Sequence, residues 1–403
     1  MYNLFVNSYK KIVEKQQQST KNVQQKELLG IYVHIPFCEK KCDYCDFISF
    51  CKNDEYKSKY VNALLKEISF TSSSYKNYVI DTIFIGGGTP TCLPNGEIFK
   101  IISQIKKCFN VSKNAEITVE CNPNSLTSEK LDEFKIANVN RLSVGLQAYN
   151  NRLLKLIGRL HTKKQFDKAI NLAKQKGFQN INADLILGIP TQKMHHIKKE
   201  LRHLIKLKLP HISAYGLIVE ENTKLCQNLN KGIYKLPSEE LQVKMYDFTK
   251  EYLKKHGVEM YEVSNFAKQG YESKHNLKYW TDNEYLGLGL TSSSYINSTR
   301  WKNTDNFENY FKQIELKTLE KCELEHVDVN SQIEECVMLG LRTKNGISLS
   351  AFESKFGFDL LTKKKTEIKT LIDNNLIKIK GDNLFCTDQG FKLLNQVILA
   401  LID

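Results

Sequence analysis

Cys38, Cys42 and Cys45 stand at C-x3-C-x2-C spacing in the segment Ile31-Tyr-Val-His-Ile-Pro-Phe-Cys38-Glu-Lys-Lys-Cys42-Asp-Tyr-Cys45-Asp-Phe47. Three thiolates so close together on a loop can wrap one metal centre. A fully protein-ligated [4Fe–4S] cluster takes four cysteines. Three leave one iron open for an external ligand, much as a catalytic zinc keeps an open position. A zinc site is compatible with the same spacing, but it lacks a fourth local ligand apart from His34 and Cys51. The chain holds eleven cysteines, an odd number, and residues 1–28 lack the apolar centre and cleavage site of a secretory signal. A disulfide framework is therefore not expected. The cysteines beyond this cluster read as small apolar fillers or free thiols.

Further polar groups recur downstream at regular intervals. Gly86-Gly87-Gly88-Thr89-Pro90 follows an apolar run, and glycines there let backbone N–H and C=O groups approach a ligand. Glu120 closes the run 116–120, Gln147 follows the run 141–144, Asp184 lies within the run 181–187, and Arg159 lies in Gly158-Arg-Leu-His161. A guanidinium's fork of donors suits a carboxylate. Taken singly, each is as easily a strand-end cap or a surface group. What makes them a set is the family resemblance given below.

The elements that must position these groups are legible in outline. Strands are expected at 30–35, 79–85, 116–120, 141–144, 181–187 and 211–217. Helices are expected at 56–70, 97–109, 128–136, 163–176 and 194–207, from apolar residues at three- and four-residue spacing. Strands alternating with helices imply parallel βαβ units. Six units make a partial (β/α)6 barrel of the α/β class, short of the eight that close a full one, with its chemistry at the carboxyl ends of the strands. After about residue 258 the pattern loosens, and from about 332 it turns helical again. A hairpin at 377–380 and 384–387, turning at Asp382-Asn383, suggests a small winged-helix-like α+β domain. The expected division is a polar N-terminal extension (1–28), the barrel (29–257), an extension and connection (258–330) and the C-terminal domain (331–403).

Composition narrows the partners. The 403 residues are 41% hydrophobic and carry a net charge of +13, but the lysines are dispersed and form no dense basic block. A solvated surface explains them better than nucleic acid does. No run of about 18 apolar residues suggests a membrane span. A cytoplasmic protein is expected.

The cysteine signature resembles the radical S-adenosylmethionine (SAM) superfamily. Its flanks, Tyr32-x-His34-Ile-Pro-Phe and Tyr44-Cys45-Asp-Phe47, resemble the coproporphyrinogen-oxidase-like branch, from about residue 29 to the C-terminus. The resemblance implies that Cys38, Cys42 and Cys45 hold the cluster. It also implies that Gly87, Gly88, Thr89, Glu120, Gln147, Arg159 and Asp184 bind SAM, with Tyr32 and Tyr44 shaping the pocket. Within the branch, the oxygen-independent coproporphyrinogen III dehydrogenases carry a fourth cysteine two positions after the third, where this chain has Phe47. Phe cannot ligate metal, and Cys45-Asp-Phe47 matches the HemW heme chaperones instead. His275-Asn276-Leu-Lys-Tyr279-Trp280 resembles the H-N-x-x-Y-W stretch of that subgroup, so His275 is an expected heme contact. One departure stands out: where the subgroup usually has Ala-His-Ser-Tyr, this chain has Ser293 in place of the histidine. The resemblance thus implies a heme carrier with a [4Fe–4S] cluster, SAM and heme. Its partners would be an apo-hemoprotein acceptor, plausibly respiratory, and an electron donor for the cluster. Whether it is also an enzyme is open. The alternative is the dehydrogenase, which oxidatively decarboxylates coproporphyrinogen III to protoporphyrinogen IX; a radical SAM methyltransferase is a third option.

Overall fold

The computed structural model describes residues 27–402. The expected N-terminal extension lies, apart from its last two residues, outside them. Six parallel strands form the heart of the molecule: β1 (Leu28–Ile35), β2 (Val79–Gly87), β3 (Val111–Cys121), β4 (Arg141–Gln147), β5 (Asn180–Leu187) and β6 (His211–Gly216). They pair in sequence order. Their near-continuous apolar runs reflect burial on both faces, as expected where crossover helices cover a parallel sheet. Ile31, Val33, Ile83, Ile85, Val119, Leu142, Val144 and Ile181 belong to one core.

The crossovers are α1 (Asp54–Thr71), α2 (Glu97–Cys108), α3 (Ser128–Ile136), α4 (Asn151–Leu156), α5 (Lys163–Gln175) and α6 (Met194–Lys206). Their starts are written in the sequence. Asn53 caps α1 by accepting from the Tyr56 N–H, and Thr162 with Gln165 closes a reciprocal capping box on α5. The short helix α4 has no counterpart among the expected helices. Six residues hold too few turns to show a periodicity.

The loosely patterned stretch after 258 does not stand apart from the barrel. Its strands lengthen the same sheet at both flanks: β7 (Glu259–Glu262) and β8 (Asn265–Ala267) beyond β6, then β9 (Tyr285–Leu288), β10 (Ser293–Ile296), β11 (Thr299–Lys302) and β12 (Cys322–His326) beyond β1. β9 runs parallel to β1, so the chain crosses the molecule before it returns as an antiparallel meander. A buried carboxyl ties the flank down. Glu67 of α1 accepts from the Gly289 N–H, the Asn303 amide and the Tyr310 hydroxyl.

Beyond Asp328, helices Val329–Gly340, Leu349–Phe356, Lys365–Asp373 and Leu394–Ile402 pack on a three-stranded antiparallel sheet, order β13–β15–β14: β13 (Ile347–Ser348), β14 (Ile377–Lys380) and β15 (Asn383–Cys386). This unit has its own core around Val337, Phe352, Leu371, Leu384 and Val397. The hairpin forms one residue earlier than expected. Lys380 pairs with Asn383, leaving Gly381 and Asp382 as the turn, because Gly381 takes φ +61 without a Cβ penalty.

Candidate cofactor site

The loop after β1 is pinned at several points. The Cys38 N–H bonds the Phe50 carbonyl and the Phe50 N–H bonds the Pro36 carbonyl, closing the loop at its base. Midway, the Asp43 N–H bonds Ile157 O at the end of α4, and the Asp43 carbonyl accepts from the Leu225 N–H. Between these anchors Cys38, Cys42 and Cys45 are half-buried, and all three line one cavity of about 420 Å³. Among the described residues no three His, Cys, Asp or Glu side chains converge closely enough to grip a single ion. A cubane takes each thiolate on a different iron, so its ligands stand around it and do not converge on one point. Burial pushes the Cys38 and Cys45 thiols up, so a metal centre must displace their protons as it binds.

Opposite the thiols lies the turn after β2. The Gly88 N–H bonds Ile35 O and the Thr89 N–H bonds Phe37 O, laying this turn against the cysteine loop. A Cβ on Gly88 would stand 2.5 Å from the Phe37 carbonyl oxygen, so only glycine permits the approach. The Thr89 hydroxyl lies 3.5 Å from Cys38 Sγ. From the other side, Arg159 Nη1 points to Cys42 Sγ at 3.6 Å, and Nη2 donates to Gly145 O at 3.3 Å; its Nε has no partner.

Glu120, near the end of β3, and Asp184, in the middle of β5, line the cavity. Glu120 accepts from the Gly87 N–H, and Asp184 accepts from the Asn182 amide. Burial, then the charge of Asp184, pushes the Glu120 carboxyl up to about 8; burial also raises Asp184. Gln147, at the end of β4, has φ +63. A non-glycine residue in the left-handed region marks local strain, here at the cavity wall where the Gln147 side chain accepts from the Tyr215 hydroxyl.

The expected site residues therefore gather around this cavity, with two exceptions. Tyr32 lines a neighbouring cavity, where its hydroxyl meets His34 Nδ1 at 2.9 Å. His275 lines neither cavity. It is fully buried, with Nδ1 on the Thr82 hydroxyl at 2.8 Å and Nε2 on the Tyr279 hydroxyl at 2.9 Å. Burial, Lys278 and Arg141 hold it neutral, down to about 3. Both ring nitrogens are engaged in this arrangement, and His275 fixes Tyr279, which lines the second cavity.

The second cavity is larger, about 820 Å³, and its lining is more apolar. Tyr32, Phe47, Ile218, Tyr279, Tyr285 and Ser293 are among its walls. Ser293, the position that departs from the family pattern, thus faces the cavity itself. Tyr44, Cys45, Phe47 and Tyr215 line both cavities.

Several cavity residues escaped the sequence reading, namely Arg141, Ser143, Asn182 and Ser213. Period-two alternation could have found them. Counting back from Gln147, every second residue of β4 (Gly145, Ser143, Arg141) lines the cavity.

Comparisons with known proteins give the family and the fold. A model of the radical SAM superfamily matches residues 32–204, and one of the HemN C-terminal domain matches residues 327–393. The chain is 37% identical over 366 residues to the heme chaperone HemW of Lactococcus lactis, covering 91% of this chain and 95% of that one. It is also 37% identical to the HemW of Bacillus subtilis, covering 92% and 98%. The chain belongs to the HemW family of radical SAM proteins. The solved coproporphyrinogen III oxidase HemN of Escherichia coli superposes with a TM-score of 0.80 over 93% of this chain and 90% of that one, at 22% identity, and so shares the fold. Like other members of the family, the chain carries the radical SAM core and a HemN-type C-terminal unit. Among its described residues no helix is long and apolar enough to cross a membrane.

Proposed function

We propose that this chain is a heme chaperone, which holds a [4Fe–4S] cluster and SAM in the smaller cavity and heme in the larger one. It passes heme to an apo-hemoprotein in the cytoplasm. The observation that carries the reading is the pair of cavities sharing a wall: one faced by three thiols and two carboxylates, and a more apolar one about twice its size. Pockets for organic cofactors have these dimensions.

Cys38, Cys42 and Cys45 hold the cluster and leave one iron for SAM's amino and carboxylate groups. Arg159 is the donor for that carboxylate, and Gly87, Gly88 and Thr89 bring backbone groups alongside it. Glu120 and Asp184 accept from the ligand's hydroxyl and amino donors. The bound cluster and SAM together supply one-electron chemistry at the sulfonium, given an external electron donor. In a carrier that chemistry serves regulation and is not turned over on the cargo.

Phe47 separates this reading from the dehydrogenase whose fold the chain shares. Its side chain is 70% exposed and stands where the two cavities meet. The test is anaerobic reconstitution followed by incubation with coproporphyrinogen III, SAM and a reductant, with heme titrated in parallel. An intact cluster, stoichiometric heme binding and no porphyrinogen product are expected. Protoporphyrinogen IX formed over many turnovers would sink the chaperone reading.

A further inference from the structure

Residues 151–208 carry fourteen Lys and Arg against three Asp and Glu, a net +11 of the chain's +13. The sequence scatters these cations, and the fold brings them to one side. α5 and α6 are neighbouring crossovers: His203 Nε2 of α6 lies 2.6 Å from Asp167 Oδ1 of α5, and Lys174 of α5 donates to the Leu207 carbonyl. Four-residue spacing puts Lys164 with Lys168 on one outer stripe, and Lys198 with Arg202 and Lys206 on the next. All five are exposed. Among the described residues of this segment only Lys176 and His203 meet a carboxylate within ion-pair reach. The helix Glu239–Lys255, by contrast, balances four lysines with four carboxylates.

Near the N-terminal ends of these helices the basic side opens into two adjoining cavities of about 360 and 490 Å³, which share Asn150, Arg152, His195 and His196. Lys163 and Lys199 line the first, and Lys193 lines the second. The one carboxyl group there, Glu200, is buried, and its Oε1 accepts from the Tyr149 N–H. Burial, then the positive groups His195, Lys193, Arg152 and Lys199, holds His196 below its ordinary value. Arg152 stands on α4, and six residues on, about 9 Å at helical rise, the chain meets the cysteine loop. There the Asp43 N–H bonds Ile157 O, and a Cβ on Gly158 would stand 2.5 Å from Asp43 Oδ1. Lys155 on α4, with Lys40 and Lys41 on the loop, carries exposed positive charge up to the thiols.

The charge calls for an acidic partner, and its place says of which kind. Between 161 and 208 no large apolar side chain is exposed, so this side offers little to a bilayer interior or to a lasting apolar interface. Small, charge-led, short-lived contacts are typical of electron-transfer encounters. We propose that the basic side, from α5 and α6 across Arg152 and Lys155 to the cysteine loop, docks an acidic one-electron donor protein beside the cluster. This rests on the cluster site proposed above, which takes its electron from outside. One electron leaves the donor's reduced flavin or iron–sulfur centre and enters the cluster, and no bond is made or broken.

The test uses flavodoxin, an acidic flavin protein, as the probe. Calorimetry at low ionic strength measures its binding, and stopped-flow absorbance measures how fast its reduced form reduces the cluster of the anaerobically reconstituted full chain. Wild type is compared with Arg152→Glu/Lys155→Glu/Lys199→Glu. The control, Lys244→Glu/Lys254→Glu/Lys255→Glu on the helix Glu239–Lys255, removes as much net charge elsewhere. The first variant should lose about tenfold or more in rate and in affinity, the scale of electrostatic steering. Added salt should slow wild type and change the variant little. The control should match wild type, and photoreduced deazariboflavin, a small uncharged reductant, should reduce all three alike. Should the triple variant fail to fold, Lys199→Glu alone makes the same comparison. Equal losses in variant and control, or rates that neither charge reversal nor salt alters, overturn the docking side. So does a reversal that abolishes binding to anionic phospholipid vesicles and leaves flavodoxin untouched, which would make this side a membrane contact. Wild type that binds flavodoxin yet holds no cluster overturns instead the site on which the proposal rests.

Discussion

At the scale of single residues, Arg159 and Glu120 do opposite things to the smaller cavity. Arg159 presents donors that the protein only partly uses, so a carboxylate ligand gains charge-assisted hydrogen bonds there. Arg159→Met should therefore weaken SAM binding by about 1.5–3 kcal/mol, roughly ten- to a hundredfold, while the cysteine loop keeps its cluster; titration of SAM into reconstituted variant checks it. Glu120 is a proton reservoir. Its folded pKa, about 8, lies above the ordinary carboxyl value of 4.5, so the folded chain keeps a proton that the unfolded chain releases. The contribution of this group to stability is thus complete below pH 4.5 and is lost as pH rises through 8. Glu120→Gln has no proton to lose, so the melting temperature of the ligand-free variant should fall less than that of wild type over this window, even as its SAM affinity drops. Thermal melts at a series of pH values decide it, and identical slopes would count against the assignment.

At the scale of elements, the cavity exists because a loop after β1 and a turn after β2 lie within hydrogen-bonding reach of each other. Gly88 is the point of closest approach. Gly88→Ala must push its new methyl into the Phe37 carbonyl, at a cost of about 1–3 kcal/mol for an overpacked site; the expected result is a lower melting temperature together with substoichiometric iron in the purified protein, read by iron assay. The β/α alternation and the cysteine loop were legible in the sequence, because each rests on local period or on spacing within one unit, and the polar cavity residues were legible through the family resemblance. The flanking strands β7 to β12 were not. They run only three to five residues, and β9 finds its partner in β1 at the far end of the chain, a pairing that no local pattern encodes. The surroundings of His275 were hidden for a related reason: one of its two hydrogen bonds comes from Thr82 on the distant β2 and the other from Tyr279 one helical turn away. Arg141 was overlooked because a charged residue at the start of a strand reads as exposed, and only the packing around the folded sheet buries it.

At the scale of the whole molecule, two cavities with a common partition should not fill independently. Tyr44, Cys45, Phe47 and Tyr215 face both sides. Saturating SAM is therefore expected to alter heme affinity, and heme must alter SAM affinity by the same factor, since binding free energies close a thermodynamic cycle. Heme titrations with and without SAM, repeated in the reverse order, measure both arms; equal affinities in all four would show the partition to be rigid. The flank beside the larger cavity bears on the protein's behaviour in crowded solution. Among the described residues the sheet ends at β12, an edge that could template another chain, yet that strand is short and charged, with Glu323 and Glu325 on one face and His326 beside the exposed Leu324 on the other. Charges along an edge strand discourage sheet-to-sheet addition. A carrier that must expose greasy side chains such as Phe47 and Ile218 to accept its cargo is thereby spared a second adhesive surface next to the first, and can be sticky toward a ligand without being sticky toward itself.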